Sequence, residues 1–256
     1  MSSQTYHENL FFFHCHTFFP FHNHLSPAEL NYLTCCFEIA EEYQESADSG
    51  YKHFSYYSYS HRVCDTRVNS SRLAYGSVKK PNIALEYAKP VFIQHSIDEQ
   101  LLALSDPNIE FYGLGWDILE NQFKIYLRFR DKKQLNAAFL QTIPHHQKQL
   151  TDLIQKDTHQ HDGLISITVK DKKTVEHKLY FYPKVKDDKS ERVAEMFTST
   201  RGLVKQFDVN YSSRTSTDWI EKINDTGRQI IQIYRQQDEQ LDTIAFTNYD
   251  NFTLYF

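Results

Sequence analysis

In residues 123–130, Phe123, Ile125, Leu127 and Phe129 alternate with Lys124, Tyr126, Arg128 and Arg130. Successive side chains of a strand point to opposite sides, so this segment would carry one apolar face and one basic, phenolic face. Two further stretches offer the same chemistry. Lys178, Tyr180 and Tyr182 alternate with Leu179 and Phe181, and Arg228, Gln232 and Tyr234 alternate with Ile231 and Ile233. Tyr255 in the last strand and Asp65 and Arg67 in the first hairpin complete the set. Cations gathered in a low-dielectric space repel one another and need a multiply charged anion to balance them. A diphosphate suits such a space, since its oxygens accept charge-assisted hydrogen bonds from Lys and Arg. Tyrosine faces beside it would stabilise a cationic intermediate and keep water away.

The elements that must position these residues follow a helix–strand–strand rhythm. Residues 1–25 form an aromatic, histidine-rich N-terminal segment. Ser26, Pro27 and Glu29 then supply the cap, first-turn proline and capping-box acid of a helix reaching about residue 50. Strands are predicted at 61–68 and 72–79, turning through 69–71, and a helix over 83–104 with a kink at Pro90. A hairpin at 108–116 and 122–130 follows, then helical pattern over 133–156 and a hairpin at 164–170 and 175–184. A fourth helix is predicted over 189–206. The chain ends on two hairpins, 219–223 with 228–235 and 241–247 with 252–256, with no helix of useful length between them.

Hairpin-joined strands pair antiparallel, and intervening helices must then lie on one side of the sheet. The predicted class is α+β, a closed antiparallel β-barrel of about ten strands ringed by helices, in a single domain spanning residues 1–256. Helices outside require apolar residues outward and the basic, phenolic faces inward, into a lumen wider than side chains alone fill.

The net charge of -5 argues against general nucleic-acid binding. Aromatic residues make up 15% of the chain and glycines number only 7, which favours ordered, aromatic-walled strands. Cys15, Cys35, Cys36 and Cys64 form no CxxC pair, so a reducing, cytoplasmic setting is the simplest expectation. Residues 11–19 lack a basic flank and a cleavage site, and no apolar run approaches the roughly 20 residues of a membrane span.

Phe111-Tyr112-Gly113-Leu114-Gly115-Trp116-Asp117, a short turn and then residues 123–128 resemble the paired strands of ABBA-type aromatic prenyltransferases. Residues 63–77, with Cys-Asp-Thr-Arg-Val at 64–68 and Arg-Leu-Ala-Tyr-Gly-Ser at 72–77, are similar to the first hairpin of the cyanobactin peptide prenyltransferase branch. The ending Asn251-Phe252-Thr253-Leu254-Tyr255-Phe256 is similar to its last strand. The resemblance covers residues 62–256 loosely, and its motifs are short. It implies transfer of a dimethylallyl or geranyl group from its diphosphate to a nucleophilic side chain of a peptide or an aromatic amino acid, through an allyl-cation-like transition state. On that pattern Arg67, Lys124, Arg128, Lys178 and Arg228 would hold the diphosphate. Tyr126, Tyr180, Tyr182, Tyr234 and Tyr255 would form the shield, and Asp65 would orient the acceptor and take its proton. Mg²⁺, where it takes part, would enter with the diphosphate. The chain departs from the family in its shortness, in the helix expected before the last hairpin, and at the acceptor-facing glutamate, which falls near Val63.

Two other readings of the same residues stand beside this one. A non-catalytic barrel carrying a hydrophobic or anionic ligand would show a lumen suited to that ligand. An open sheet serving as an interaction module would leave Lys124 and Arg128 exposed. His14-Cys15-His16 with His22 and His24 has no second pair at zinc-finger spacing, so no metal site is assigned.

Overall fold

Alternation produces strands here, and short polar turns close them into hairpins. The computed structural model describes residues 3–18, 25–44, 57–77, 80–97, 109–117, 119–129, 162–182, 193–198, 202–208, 222–239, 241, 243–248 and 251–256. Helices α1 (Ser3–Phe18) and α2 (Pro27–Gln44) precede strands β1 (Tyr57–Cys64) and β2 (Arg67–Gly76). Helix α3 (Pro81–His95) leads to β3 (Ile109–Asp117) and β4 (Gln122–Phe129). Then come β5 (Asp162–Lys170), β6 (Lys173–Tyr182), β7 (Val193–Thr198) and β8 (Gly202–Asp208). Helix α4 (Asp225–Arg235), β9 (Thr243–Asn248) and β10 (Asn251–Tyr255) end the chain. The chain is thus α+β, with antiparallel strands in a strongly curled sheet. Each strand pairs with its sequence neighbours, and β1 pairs with β10 as well as with β2.

The core lies between the outer face of this sheet and the helices. Tyr32 on α2 and Phe92 on α3 are buried against Phe111, and Tyr32 also meets Trp116. Glu29 fastens three elements together. Its carboxylate accepts from the Ser26 N–H (2.8 Å) and from Trp116 Nε1 (2.8 Å), and lies 3.1 Å from His95 Nε2. Burial alone would raise the Glu29 carboxyl, but bonds from His95, Ser26 and Trp116 outweigh it and bring the pKa to about 2. Leu30 of α2 faces away from this core and is exposed.

The structure corrects several predicted elements. The first hairpin turns at Asp65-Thr66, with Asp65 at φ 54°, a conformation Asp tolerates better than most residues. The polar stretch at 69–71 is strand interior, because Ser70 and Ser71 each find a buried partner. Helix α3 stops at His95, where Ser96 adopts a left-handed cap and Ile97 N–H reaches the Phe92 carbonyl. The helix predicted over 189–206 is the hairpin β7–β8, seated between β6 and β9.

The strand predicted over 228–235 is helix α4. Asn224 caps it by accepting from the Gly227 N–H at 3.0 Å, and Gly227, Ile230, Ile231 and Tyr234 share its buried face. Ile231-Gln232-Ile233-Tyr234 fits a two-residue period only locally, and the helical period fits all eleven residues. The helix thought missing before the last hairpin is therefore present. The N-terminal segment is largely helical, as α1, and the helical pattern at 133–156 lies outside the described residues. None of the four cysteines forms a disulfide, and no described helix is long and apolar enough to cross a membrane.

Candidate anion site

The inner face of the curled sheet carries the polar partners of the apolar outer residues. On β4, Phe123, Ile125, Leu127 and Phe129 are buried under the helices, which turns Lys124, Tyr126 and Arg128 inward. Register places Lys124 between Gly115 of β3 and Thr168 of β5, and Tyr126 beside Ser166. Thr168 in turn faces Glu176 of β6, and Ser166 faces Lys178. On the other flank, Arg72 of β2 lies between Ser60 of β1 and Asp117 of β3, and Ser60 faces Tyr255 of β10.

The result is a buried charged cluster. Lys124 is 1% exposed and Lys178 is 2% exposed, which is rare for lysines unless they are paired or functional. Arg72 Nε donates to Asp117 Oδ2 at 2.7 Å, and Ser70 Oγ donates to the same oxygen at 2.5 Å. Lys178 Nζ lies 2.9 Å from Glu176 Oε2. Lys124 Nζ donates to Thr168 Oγ1 at 3.0 Å.

Burial, and then repulsion from Arg72 and Lys178, pull the Lys124 pKa well below its usual value. Burial would lower Arg72 too, but Asp117 more than compensates and holds it charged. Burial raises the phenols of Tyr126 and Tyr112, with Arg72 and Arg128 respectively drawing them partly back, so both stay protonated. The Ser166 hydroxyl is fully buried and, among the described residues, has no hydrogen-bond partner on the same wall. Gly115 makes room at the centre: a Cβ there would fall 2.8 Å from the Tyr126 ring.

Of the residues singled out from sequence, Lys124, Tyr126, Arg128, Lys178 and Tyr255 line this inner face, Tyr255 being coupled electrostatically to Arg72 and Tyr126. Tyr180, two residues from Lys178 in the same strand and opposite Leu164, shares its face by register, as does Tyr182; their side chains lie outside the described residues. Four candidates fall elsewhere. Asp65 is an exposed turn residue, and Arg67 is exposed at the start of β2. Arg228 sits in the first turn of α4, donating to the Ile223 carbonyl and paired with Asp225.

Tyr234 lies on the other side of the sheet. It is fully buried, stacks on Phe256 at 3.9 Å, and bridges His14 Nδ1 (2.6 Å) and His61 Nε2 (2.8 Å). Sequence reasoning missed Arg72, Asp117 and Glu176. Asp117 ends the quoted β3 motif and Arg72 begins the quoted 72–77 run, so both were visible but unassigned. The misplaced turn had put Arg72 at the wrong end of its strand.

No protein-family model matches this chain, and no curated protein matches it in sequence.

Proposed function

We propose that the chain is a prenyltransferase of the ABBA type, its ten strands closing into a barrel whose lumen binds a dimethylallyl or geranyl diphosphate. The pairing of β1 with both β2 and β10 supports closure. The observation that carries the reading is the burial of Lys124 and Lys178, with Arg72 nearly buried, beside the protonated phenols of Tyr126 and Tyr112, on the face away from the helices. A purely apolar cargo gives no reason to bury three basic residues together, since an unbalanced buried charge costs several kcal/mol (of order 3–5).

In this reading the carbon–oxygen bond of the donor breaks with its electron pair leaving on the diphosphate, and Lys178, Arg72 and Lys124 neutralise that charge. The allylic carbon, shielded by the tyrosine faces, bonds to an electron-rich atom of a peptide or aromatic acceptor. Asp65 is too far out on its turn to take the acceptor proton. Asp117 is held by both Arg72 and Ser70, so we assign that role to Glu176, which pairs with Lys178; Glu110, opposite Arg128, is the other described carboxylate on this face. Magnesium would arrive on the diphosphate, because Asp117 and Glu176 already face cations.

The test is calorimetric binding of dimethylallyl thiolodiphosphate to the wild type, Lys178→Met and Arg128→Met. Binding that is lost or weakened at least tenfold in both variants is expected. Wild-type protein that takes up dimethylallyl alcohol and ignores the thiolodiphosphate would identify a carrier instead.

A further inference from the structure

The charged wall of the lumen is unevenly matched. Arg72 has a carboxylate partner in Asp117, and Lys178 has one in Glu176. Lys124 lies between these two pairs, with Gly115 on one side and the Thr168 hydroxyl on the other. Its hydrogen bond among the described residues is to that neutral hydroxyl. Among the described residues, Arg72 and Lys178 therefore each touch an acid, and Lys124 between them touches a neutral hydroxyl.

We propose that the lumen binds phosphorylated anions with uptake of one proton, and that Lys124 is the group that receives it. The proposal rests on the diphosphate reading of the same cavity and specifies how that ligand is taken up. An ammonium has three protons to place. In the ligand-free lumen Lys124 Nζ has Thr168 as its acceptor, and an uncompensated buried ammonium is so costly that the group releases its proton instead. Arg72 and Lys178 push in the same direction, while Glu176 and Asp117 oppose them less strongly; Asp117 holds Arg72 charged, and Lys178 touches Glu176. The phenols Tyr126 and Tyr255 and the cation Arg128 on β4 and β10, and Tyr112 and Glu110 on β3, are the other charged and titratable groups described on this face.

An entering phosphate group reverses the field at Nζ and offers oxygens to its donors. The amine then takes a proton from solvent and becomes an ammonium bonded to the anion; no other bond changes. Linkage fixes the sign. Because the complex holds one more proton than the free protein, affinity for an anion of constant charge falls as pH rises, by about tenfold per unit, across the window between the free and bound pKa of Lys124. The same device disfavours neutral ligands, which supply no field to recharge the lysine.

The experiment titrates wild type and Lys124→Met with inorganic pyrophosphate near neutral pH, in two buffers of different ionisation enthalpy, so that protons exchanged are counted by calorimetry. Comparing the two proteins cancels protons that pyrophosphate itself gains or loses. Wild type is expected to take up about one proton more than Lys124→Met. On protein labelled with ¹³C at lysine Cε, one buried resonance should move from the neutral-amine to the ammonium position on adding pyrophosphate, a measurement that needs no variant. Equal proton uptake, or a Cε resonance already at the ammonium position without ligand, overturns the proposal while leaving diphosphate binding intact. Wild type that binds neither pyrophosphate nor dimethylallyl thiolodiphosphate overturns the functional reading and this inference together.

Discussion

Acid should unfold this protein through the histidine pair behind β1, well before its carboxylates are protonated. His14 of α1 and His61 of β1 both contact the Tyr234 hydroxyl, and His61 Nδ1 lies 3.1 Å from Ser71 Oγ. Burial lowers His61 to about 3, with Asp117 across the sheet opposing only in part. Burial, reinforced by His61, lowers His14 well below its usual value. A base whose folded pKa is depressed binds fewer protons folded than unfolded, so stability is full above the unfolded value near 6.5 and is lost as pH falls below it. Held at about 3, His61 costs about 1.4 kcal/mol at pH 5.5 and about 2.7 kcal/mol at pH 4.5, and His14 adds in the same direction. The His61 share alone is a substantial part of an ordinary domain's stability of roughly 5–15 kcal/mol. His177, half-buried near Glu176, is lowered by burial and adds to the trend. Urea denaturation of wild type and His61→Gln at pH steps between about 7.5 and 4.5 measures this directly. The wild-type slope should reach at least about 1.4 kcal/mol per pH unit below about pH 5.5, and the variant should lose about that much of it. A wild-type stability that changes by less than about 1 kcal/mol between pH 7.5 and 5.5, or an identical slope in His61→Gln, refutes the reasoning.

Glu29→Gln removes a carboxylate brought to about 2 in the folded state, and should cost about 3 kcal/mol at pH 7 in urea denaturation. That difference should stay constant from about pH 8 to pH 5, because a depressed acid loses its contribution only as pH falls from its unfolded value near 4.3 toward its folded one. Arg228→Ala should leave thiolodiphosphate affinity unchanged within about twofold by calorimetry, since the guanidinium is tied to the Ile223 carbonyl and to Asp225 at the start of α4. Asp117→Asn leaves the buried Arg72 without its counter-charge and should cost about 3–5 kcal/mol, read as a lowered urea midpoint at unchanged slope.

Much of the sheet was legible because β3, β4, β5, β6 and β10 alternate cleanly and end at polar turns. The inward direction of Lys124 and Lys178 followed from the helices that must cover Ile125 and Leu179. What misled was local period. Four residues of α4 alternate as a strand would, and only the cap at Asn224 and the spacing of Gly227, Ile230 and Tyr234 reveal the helix. At the first hairpin, three consecutive polar residues at 69–71 imitate a turn, and their burial depends on Asp117 and His61, which are distant in sequence. Residues whose polarity is satisfied by distant partners are those that a local reading misplaces. Asp65 and Arg67 were carried to the wrong place by that single shift.

Those same serines tie the two polar clusters of the protein together. Ser70 faces inward and donates to Asp117, the partner of Arg72 in the anion site. Ser71 faces outward and meets His61, which holds Tyr234 and through it His14 of α1. Adjacent residues of one strand thus belong to opposite faces, as the two-residue period requires. Moving β2 by one residue would exchange the two serines and break both clusters at once. The outer histidine–tyrosine bridge therefore supports the register that sets Arg72 beside Asp117 and Lys124 beside Thr168. A variant that loosens the bridge without unfolding the protein, such as Tyr234→Phe, should weaken thiolodiphosphate binding although Tyr234 never faces the lumen. Unchanged affinity in Tyr234→Phe, at a measurably lower stability, would show that the inner site keeps its register without the outer one.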